Sequence, residues 1–203
     1  MNRFTRYCTV LSLLVFSSIF CQEGKLKTVK IGLKHGSENE LEVKTKAKLQ
    51  QLLKTYDLSK WVFTDTVVIE TGVIPHSHPV LTINTRDRDQ DMLLLSTFVH
   101  EQIHWYVANR DSAREKAINE FREIYPNIPA GRKEGGARNK YSSYLHLIVC
   151  YLEYEGMIEL AGDKKGEEAI EYWSNHHYTW IYKEVLNNGD KIKPVLRKHG
   201  FKI

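Results

Sequence analysis

The sequence predicts a single α+β domain, with a small N-terminal β-sheet and its helices followed by a mainly helical C-terminal half. Three observations predict it. Segments 91–108 (DMLLLSTFVHEQIHWYVA) and 141–160 (YSSYLHLIVCYLEYEGMIEL) are apolar on almost every side over lengths that strands do not reach, so both read as helices crossing the interior. The runs rich in Val, Ile, Thr and Phe all precede residue 85. A chain of 203 residues with 42% hydrophobic and 27% charged content is an ordinary soluble domain with room for a real core.

Residues 1–21 stand apart from domain 22–203. Arg3 and Arg6 precede an apolar run, Cys8 to Phe20, that is too short for a comfortable membrane span and suits the h-region of a secretory signal peptide. Processing is expected near Cys21, by cleavage before Gln22 or by lipidation of Cys21; Ser18-Ile19-Phe20 matches a bacterial lipobox poorly, and an uncleaved anchor is the third option. Each version places the domain outside the cytoplasm, secreted, periplasmic or lipid-anchored, with Cys21 lipidation the one expected tie of the mature protein to a membrane. Cys150 is then alone in the mature domain, so no internal disulfide forms. A formal charge of +4 without an Arg/Lys stripe interleaved with aromatics gives no basis for a nucleic-acid partner.

In chain order, Lys27 to Leu33 alternates as a strand, and Ser37-Glu38-Asn39-Glu40 is a capping-box pattern opening a helix to about Tyr56. Its inner stripe is Leu49, Leu52, Leu53 and Tyr56, with Lys44, Lys46, Lys48 and Lys54 on a solvated face. Trp61 to Glu70 and Val80 to Asn84 read as two further strands around Pro75 and Pro79, with His76 and His78 in an exposed polar loop that could also line a cleft. The helix 88–109 follows. Asp111 is expected to cap the next, Ser112 to Tyr125, whose inner face is Ala117, Ile118, Phe121 and Ile124. Residues 126–139 hold three glycines and two prolines and are expected to border a cleft. The helix 140–161 comes next. A further one, Gly166 to Leu186, ends at Asn187-Asn188-Gly189, ahead of a short basic helix, Lys191 to Lys198.

Chemistry is concentrated in His100-Glu101-Gln102-Ile103-His104. Two histidines four apart on a helix can reach one metal ion, and Glu101 leans off the same face, where it can contact a metal-bound water as a general base. Two imidazoles and a carboxylate in so apolar a run are costly unless something satisfies them, and a metal does so. In the second apolar helix, His146, Cys150, Glu153 and Met157 share a face, whereas Glu155 points away. In the segment beyond it, His177 falls on the side of Ile170, Trp173 and Ile181.

On the pentapeptide and its helix, the chain resembles the zincin metallopeptidases. The resemblance implies a zincin-like fold, one Zn2+ ion, a peptide or protein substrate, and an active helix packed beneath the sheet. It makes Val80, Leu81, Thr82, Ile83 and Asn84 the candidate edge strand for pairing with substrate. It also implies a third protein ligand downstream. Either His146 completes a three-histidine site with Glu153 hydrogen-bonded behind a ligand, or Glu153 is itself the ligand, as the helix-borne glutamate is in the gluzincin branch. His177 or Tyr178 would hold the oxyanion, the alternative for both being aromatic core packing. The implied activity is zinc-dependent hydrolysis of peptide bonds through Glu101. The alternatives are a non-catalytic zincin-like domain that uses zinc structurally or presents a cleft to a protein partner, and an extracytoplasmic binding lipoprotein whose motif arose by chance.

Overall fold

The computed structural model describes residues 28–203, so the signal segment, Cys21 and the first residue of the expected opening strand lie outside the described residues. The elements are β1 (Lys30–Leu33), α1 (Glu40–Thr55), β2 (Thr66–Ile69), β3 (Leu81–Ile83), α2 (Asp91–Ala108), α3 (Asp111–Ile124), a 3-10 turn (Arg132–Glu134), α4 (Lys140–Ala161), α5 (Asp163–His176) and α6 (Thr179–Lys198). The fold is α+β and mostly helical, with one three-stranded sheet.

That sheet has the order β1-β2-β3 and is parallel throughout, Ile31 lying opposite Val67 and Ile69 opposite Ile83. Parallel neighbours need a crossover, which α1 supplies between β1 and β2. The strands are shorter than the residue pattern suggests because the chain leaves the ladder early to serve the helices. Gln102, fully buried inside the motif, accepts from the N–H groups of Phe63 (2.7 Å) and Thr64 (2.9 Å) and donates to the Thr64 carbonyl (2.9 Å). These bonds hold 63–64 against α2 instead of letting the strand start at Trp61.

The cap of α1 is displaced from the expected Ser37. Gly36, at φ 79, turns the chain, and Asn39 becomes the N-cap, its side chain accepting from Glu42 N at 3.2 Å. Glu42 is fully buried and accepts from His35 N (2.9 Å), His35 Nδ1 (2.6 Å) and Thr71 N (3.0 Å), tying α1 to the ends of β1 and β2. Leu49 and Leu52 are buried as expected, with Leu53 and Tyr56 half-buried. In α3 the cap position is Arg110; Asp111 already belongs to the first turn and pairs with Arg114 at 2.8 Å. Ala117, Ile118 and Phe121 are buried, but Ile124, expected inside, is exposed at the last residue of the helix.

The core is α2, buried on nearly every side between β3, α1, α4 and α5, with α4 in turn packed on α3, α5 and α6. Gly156 in α4 makes room for Trp61, whose ring would lie 2.9 Å from any added Cβ. The C-terminal half departs most from expectation. The helix expected over Gly166–Leu186 is two, α5 and α6, broken at His177 (extended) and Tyr178 (φ 48). Asn187-Asn188-Gly189 does not end α6. It yields only a kink at Asn188, because Val185, Ile192, Val195 and Leu196 keep one buried face running past it and the Tyr151 ring packs on Gly189.

Burial favours the neutral form of Glu42, but the hydrogen bonds from His35 and Thr71 outweigh it and hold the carboxyl below its ordinary value of 4.5. A depressed folded-state pKa adds stability that is present above the unfolded value and lost as pH falls through the folded one. Glu42→Ala is therefore expected to lose roughly 2–4 kcal/mol in urea denaturation at neutral pH, and to lose less further stability below pH 4.5 than the wild type. Equal acid sensitivity in both proteins would refute this role.

Candidate metal centre

Helix spacing brings His100 and His104 of α2 together, their Nε2 atoms 3.3 Å apart, and α4 delivers His146 opposite them. The His146 ring centroid lies 5.7 Å from that of His100 and 5.1 Å from that of His104. One nitrogen from each of the three lies within 4.8 Å of the others. Hydrogen bonds fix which nitrogens face inward. The Nδ1 atoms of His100 and His146 are taken up by Glu153 Oε2 and the Ser142 carbonyl, each at 2.7 Å, so both Nε2 lone pairs are left for the centre.

Two Nε2 lone pairs at 3.3 Å repel unless a proton or a cation sits between them. Tetrahedral coordination at about 2.0–2.1 Å sets neighbouring nitrogens roughly 3.3–3.4 Å apart, so this pair fits zinc as it stands. Of the two expected arrangements, the geometry matches the one with His146 as third donor. Glu153 is fully buried and saturated: it accepts from His100 Nδ1, from Tyr182 OH at 2.7 Å and, very closely, from Ser96 Oγ, which itself accepts from Trp173 Nε1 at 2.9 Å. A second grouping, His100, Cys150 and Glu153, also gathers three donors. It suits a metal less well, because burial pushes the Cys150 thiol up and keeps it protonated.

The three imidazoles cannot all be charged. Burial opposes a proton on His100, yet the Glu153 carboxylate outweighs it and moves the pKa well above 6.5. His104 is driven well below 6.5 by burial and by His100, and His146 falls to about 3 for the same two reasons. His104 and His146 thus stay neutral donors, while the Glu153 carboxylate favours positive charge at His100, charge that either a proton or a metal ion on its Nε2 supplies.

Glu101, 7% exposed, accepts no hydrogen bond through its carboxylate among the described residues and faces the cavity. Burial raises its pKa to about 7, against the opposing pull of His100. The cavity has a volume of about 490 Å³, and all three histidines, Glu101 and Glu153 line it. The break between α5 and α6 brings His177 and Tyr178 to its wall. The Tyr178 ring sits 4.3 Å from that of His146 and 6.4 Å from that of His100, and the His177 ring sits 3.8 Å from that of Tyr178. His177 is there because the chain is extended at that residue, and not through the helical phase that pointed to it.

His76 and His78 are both exposed and also line the cavity mouth, where His78 stacks on Trp105 at 4.2 Å and Trp105 Nε1 donates to the Ser77 carbonyl at 2.8 Å. Loop 126–139 borders the cavity through Arg132. The expected substrate edge is corrected. β3 is an edge of the sheet, but Thr82 exchanges both backbone hydrogen bonds with His76 (2.8 and 3.1 Å), Leu81 and Ile83 are buried, and Val80 lies outside the ladder. Of that stretch, Asn84 lines the cavity, its amide donating to the Val73 carbonyl at 3.2 Å.

Sequence reasoning missed Ser96, Trp173 and Tyr182, the partners that satisfy Glu153 or its neighbour. Ser96 carried a signal, one helical turn ahead of His100 on the same face. Tyr182 carried none, since its approach depends on the α5–α6 break. No family model matches the chain, and no curated protein or solved structure matches it either.

With zinc supplied, one equivalent is expected in the purified protein by elemental analysis. Single alanine substitutions of His100, His104 or His146 should each remove stoichiometric zinc, and Glu153→Gln, which leaves one acceptor oxygen for three donors, should weaken zinc about 10–100-fold and lower stability as well. Full zinc in His146→Ala would exclude this histidine as a ligand.

Proposed function

We propose that the protein is an extracytoplasmic, zinc-dependent hydrolase of zincin-like architecture that cleaves peptide or related amide bonds. The observation that carries the reading is a buried carboxyl without a protein partner, Glu101, facing a cavity beside three converging imidazole nitrogens. A buried carboxyl is normally hydrogen-bonded, and one left open to a cavity is available to a reactant.

His100, His104 and His146 would hold the ion, and Glu153 with Ser142 would orient their rings. Bound there, zinc supplies a Lewis acid that polarises a carbonyl and lowers the pKa of water. Glu101 accepts the proton of the attacking water and returns it to the leaving nitrogen, which requires only that its carboxyl stay free of other partners. The Tyr178 hydroxyl, or the His177 ring behind it, donates to the oxygen where negative charge develops. The backbone of Tyr178 supports this assignment: a left-handed tyrosine is held at a cost of about 1–3 kcal/mol, and such residues collect at active sites. A purely structural zinc would call for a fourth protein donor, whereas the imidazole cluster opens on the cavity and Glu101.

Glu101→Gln is expected to keep zinc and the fold and to lower hydrolysis of peptide substrates by at least about 10²-fold. Undiminished turnover in that variant would sink the mechanism. Tyr178→Phe should lower kcat by roughly 10²–10³-fold with little change in KM if its hydroxyl meets the oxyanion. A wild-type rate would return that role to His177.

A further inference from the structure

Two exposed arginines that line the cavity have no counter-ion among the described residues. Arg86 and Arg132 both line the cavity, and among the described residues neither forms an ion pair nor donates a side-chain hydrogen bond. Arg88, Arg110, Arg114 and Arg122 are each engaged by a carbonyl or a side chain, and Arg138 and Arg197, which have no such partner among the described residues, do not line the cavity. Acidic groups on the same wall do not neutralise the pair. Glu153 is saturated by Ser96, His100 and Tyr182, and Glu101 faces the reacting centre. Asp87 is buried, and that burial raises its pKa against the opposing influence of Arg86, with which it forms no ion pair.

Arg132 is held in place by its loop. It follows Gly131 (φ 92) and precedes Gly135 (φ 78), and the turn is closed by Gly131 N to the Ala137 carbonyl at 2.6 Å and by Glu134 Oε2 on Ala130 N at 3.1 Å. The Gly135 carbonyl accepts from Trp180 N at 3.0 Å, and a Cβ there would lie 2.5 Å from Thr179 Oγ1. The loop is therefore clamped to the first turn of α6, directly after Tyr178. Arg86 comes from the far end of β3, its backbone N–H bound by Asn84 Oδ1 at 3.1 Å. Both guanidiniums are close enough to His177 to oppose its protonation, which burial and His100 already disfavour, and the ring stays neutral with a pKa of about 4. Two unpaired guanidiniums and a neutral imidazole on the lining of one cavity offer a planar anion its partners, because a guanidinium binds a carboxylate through two parallel hydrogen bonds.

We propose that Arg132 and Arg86 are specificity-determining residues that bind a substrate carboxylate next to the scissile amide. This inference rests on the hydrolase reading for its substrate class. The carboxylate is either the free C-terminus of a peptide or an acidic side chain within it.

The test uses the zinc-loaded protein and a degenerate pool of N-acetylated hexapeptides in three forms: C-terminal acid, C-terminal amide, and amide carrying one internal glutamate. Cleavage is read by mass spectrometry. Binding is read separately by calorimetry on zinc-loaded Glu101→Gln. The acid form should be cut within a residue or two of its end and bind roughly tenfold or more tightly than the amide. That ratio should approach one in Arg132→Ala and in the Arg86→Ala/Arg132→Ala double variant. Equal recovery of affinity by the glutamate-bearing amide supports the proposal and assigns the carboxylate to a side chain. Identical binding of acid, amide and glutamate-bearing amide, a preference that survives the double variant, or no binding of any form overturns it. Cleavage without carboxylate preference removes this inference and leaves the hydrolase standing; carboxylate-dependent binding without cleavage does the reverse.

Discussion

The structure depends on one buried carboxylate. Glu153 sits at the centre of α4 with no exposure, where an unpaired charge would cost several kcal/mol, and it is satisfied from three directions. Two donors, His100 and Ser96, come from α2 and one, Tyr182, from α6, while Trp173 of α5 reaches Ser96. Four helices are thereby fixed in register through a single side chain. An apolar contact between α2 and α4 would tolerate sliding by a fraction of a turn, but a saturated carboxylate does not. The same bonds fix the His100 tautomer, and with it the direction of the one lone pair the centre needs from that residue.

A second constraint, the break at His177–Tyr178, follows from the first. α5 must present Trp173 to Ser96, and α6 must present Tyr182 to Glu153, nine residues further on. On a straight helix nine residues advance about 13.5 Å, too far for both side chains to converge on neighbouring atoms. Interrupting the helix shortens the path, and Tyr178 takes up the left-handed turn that the reversal requires. The strain stored there is offset by packing of both helices on α4. Its consequence is chemical. The two residues of the break, left without helical neighbours, turn their rings toward the imidazole cluster.

These relations explain what could be read from the sequence. The motif helix, the helix 140–161 and the pairing of His146 with Glu153 on one face were legible because 3.6-residue periodicity is local and strong in long apolar runs. Ile124 was misplaced because the apolar periodicity runs to the last residue of α3, past the part of the helix that is covered. The cap at Asn39 was hidden by an equally good pattern two residues earlier, and Gly36 decided between them. The α5–α6 break carries no glycine or proline, so no local signal marked it; it is imposed by Glu153 from another helix. The closure of β3 by His76 and the placement of Arg86 and Arg132 on one cavity were illegible for the same reason, since each joins segments that only the tertiary fold brings together.

The closed edge of β3 also bears on how a substrate is held. Extended peptides that add a strand to a sheet gain affinity from a row of backbone hydrogen bonds, largely whatever their side chains. At Thr82 that row is already spent on His76, and β3 is only three residues long, so a strand laid there would gain few ladder bonds. For the proposed peptide substrate, binding energy at this cleft would have to come from side chains on its wall: the aromatic and imidazole rings and the arginines. Such a wall would discriminate by charge and shape at a few points rather than along a backbone, which agrees with the proposed preference for a ligand with a fixed anionic group over a long, featureless strand. His76, which closes the sheet edge at Thr82, would thus be part of what makes the cleft selective in the proposed hydrolase.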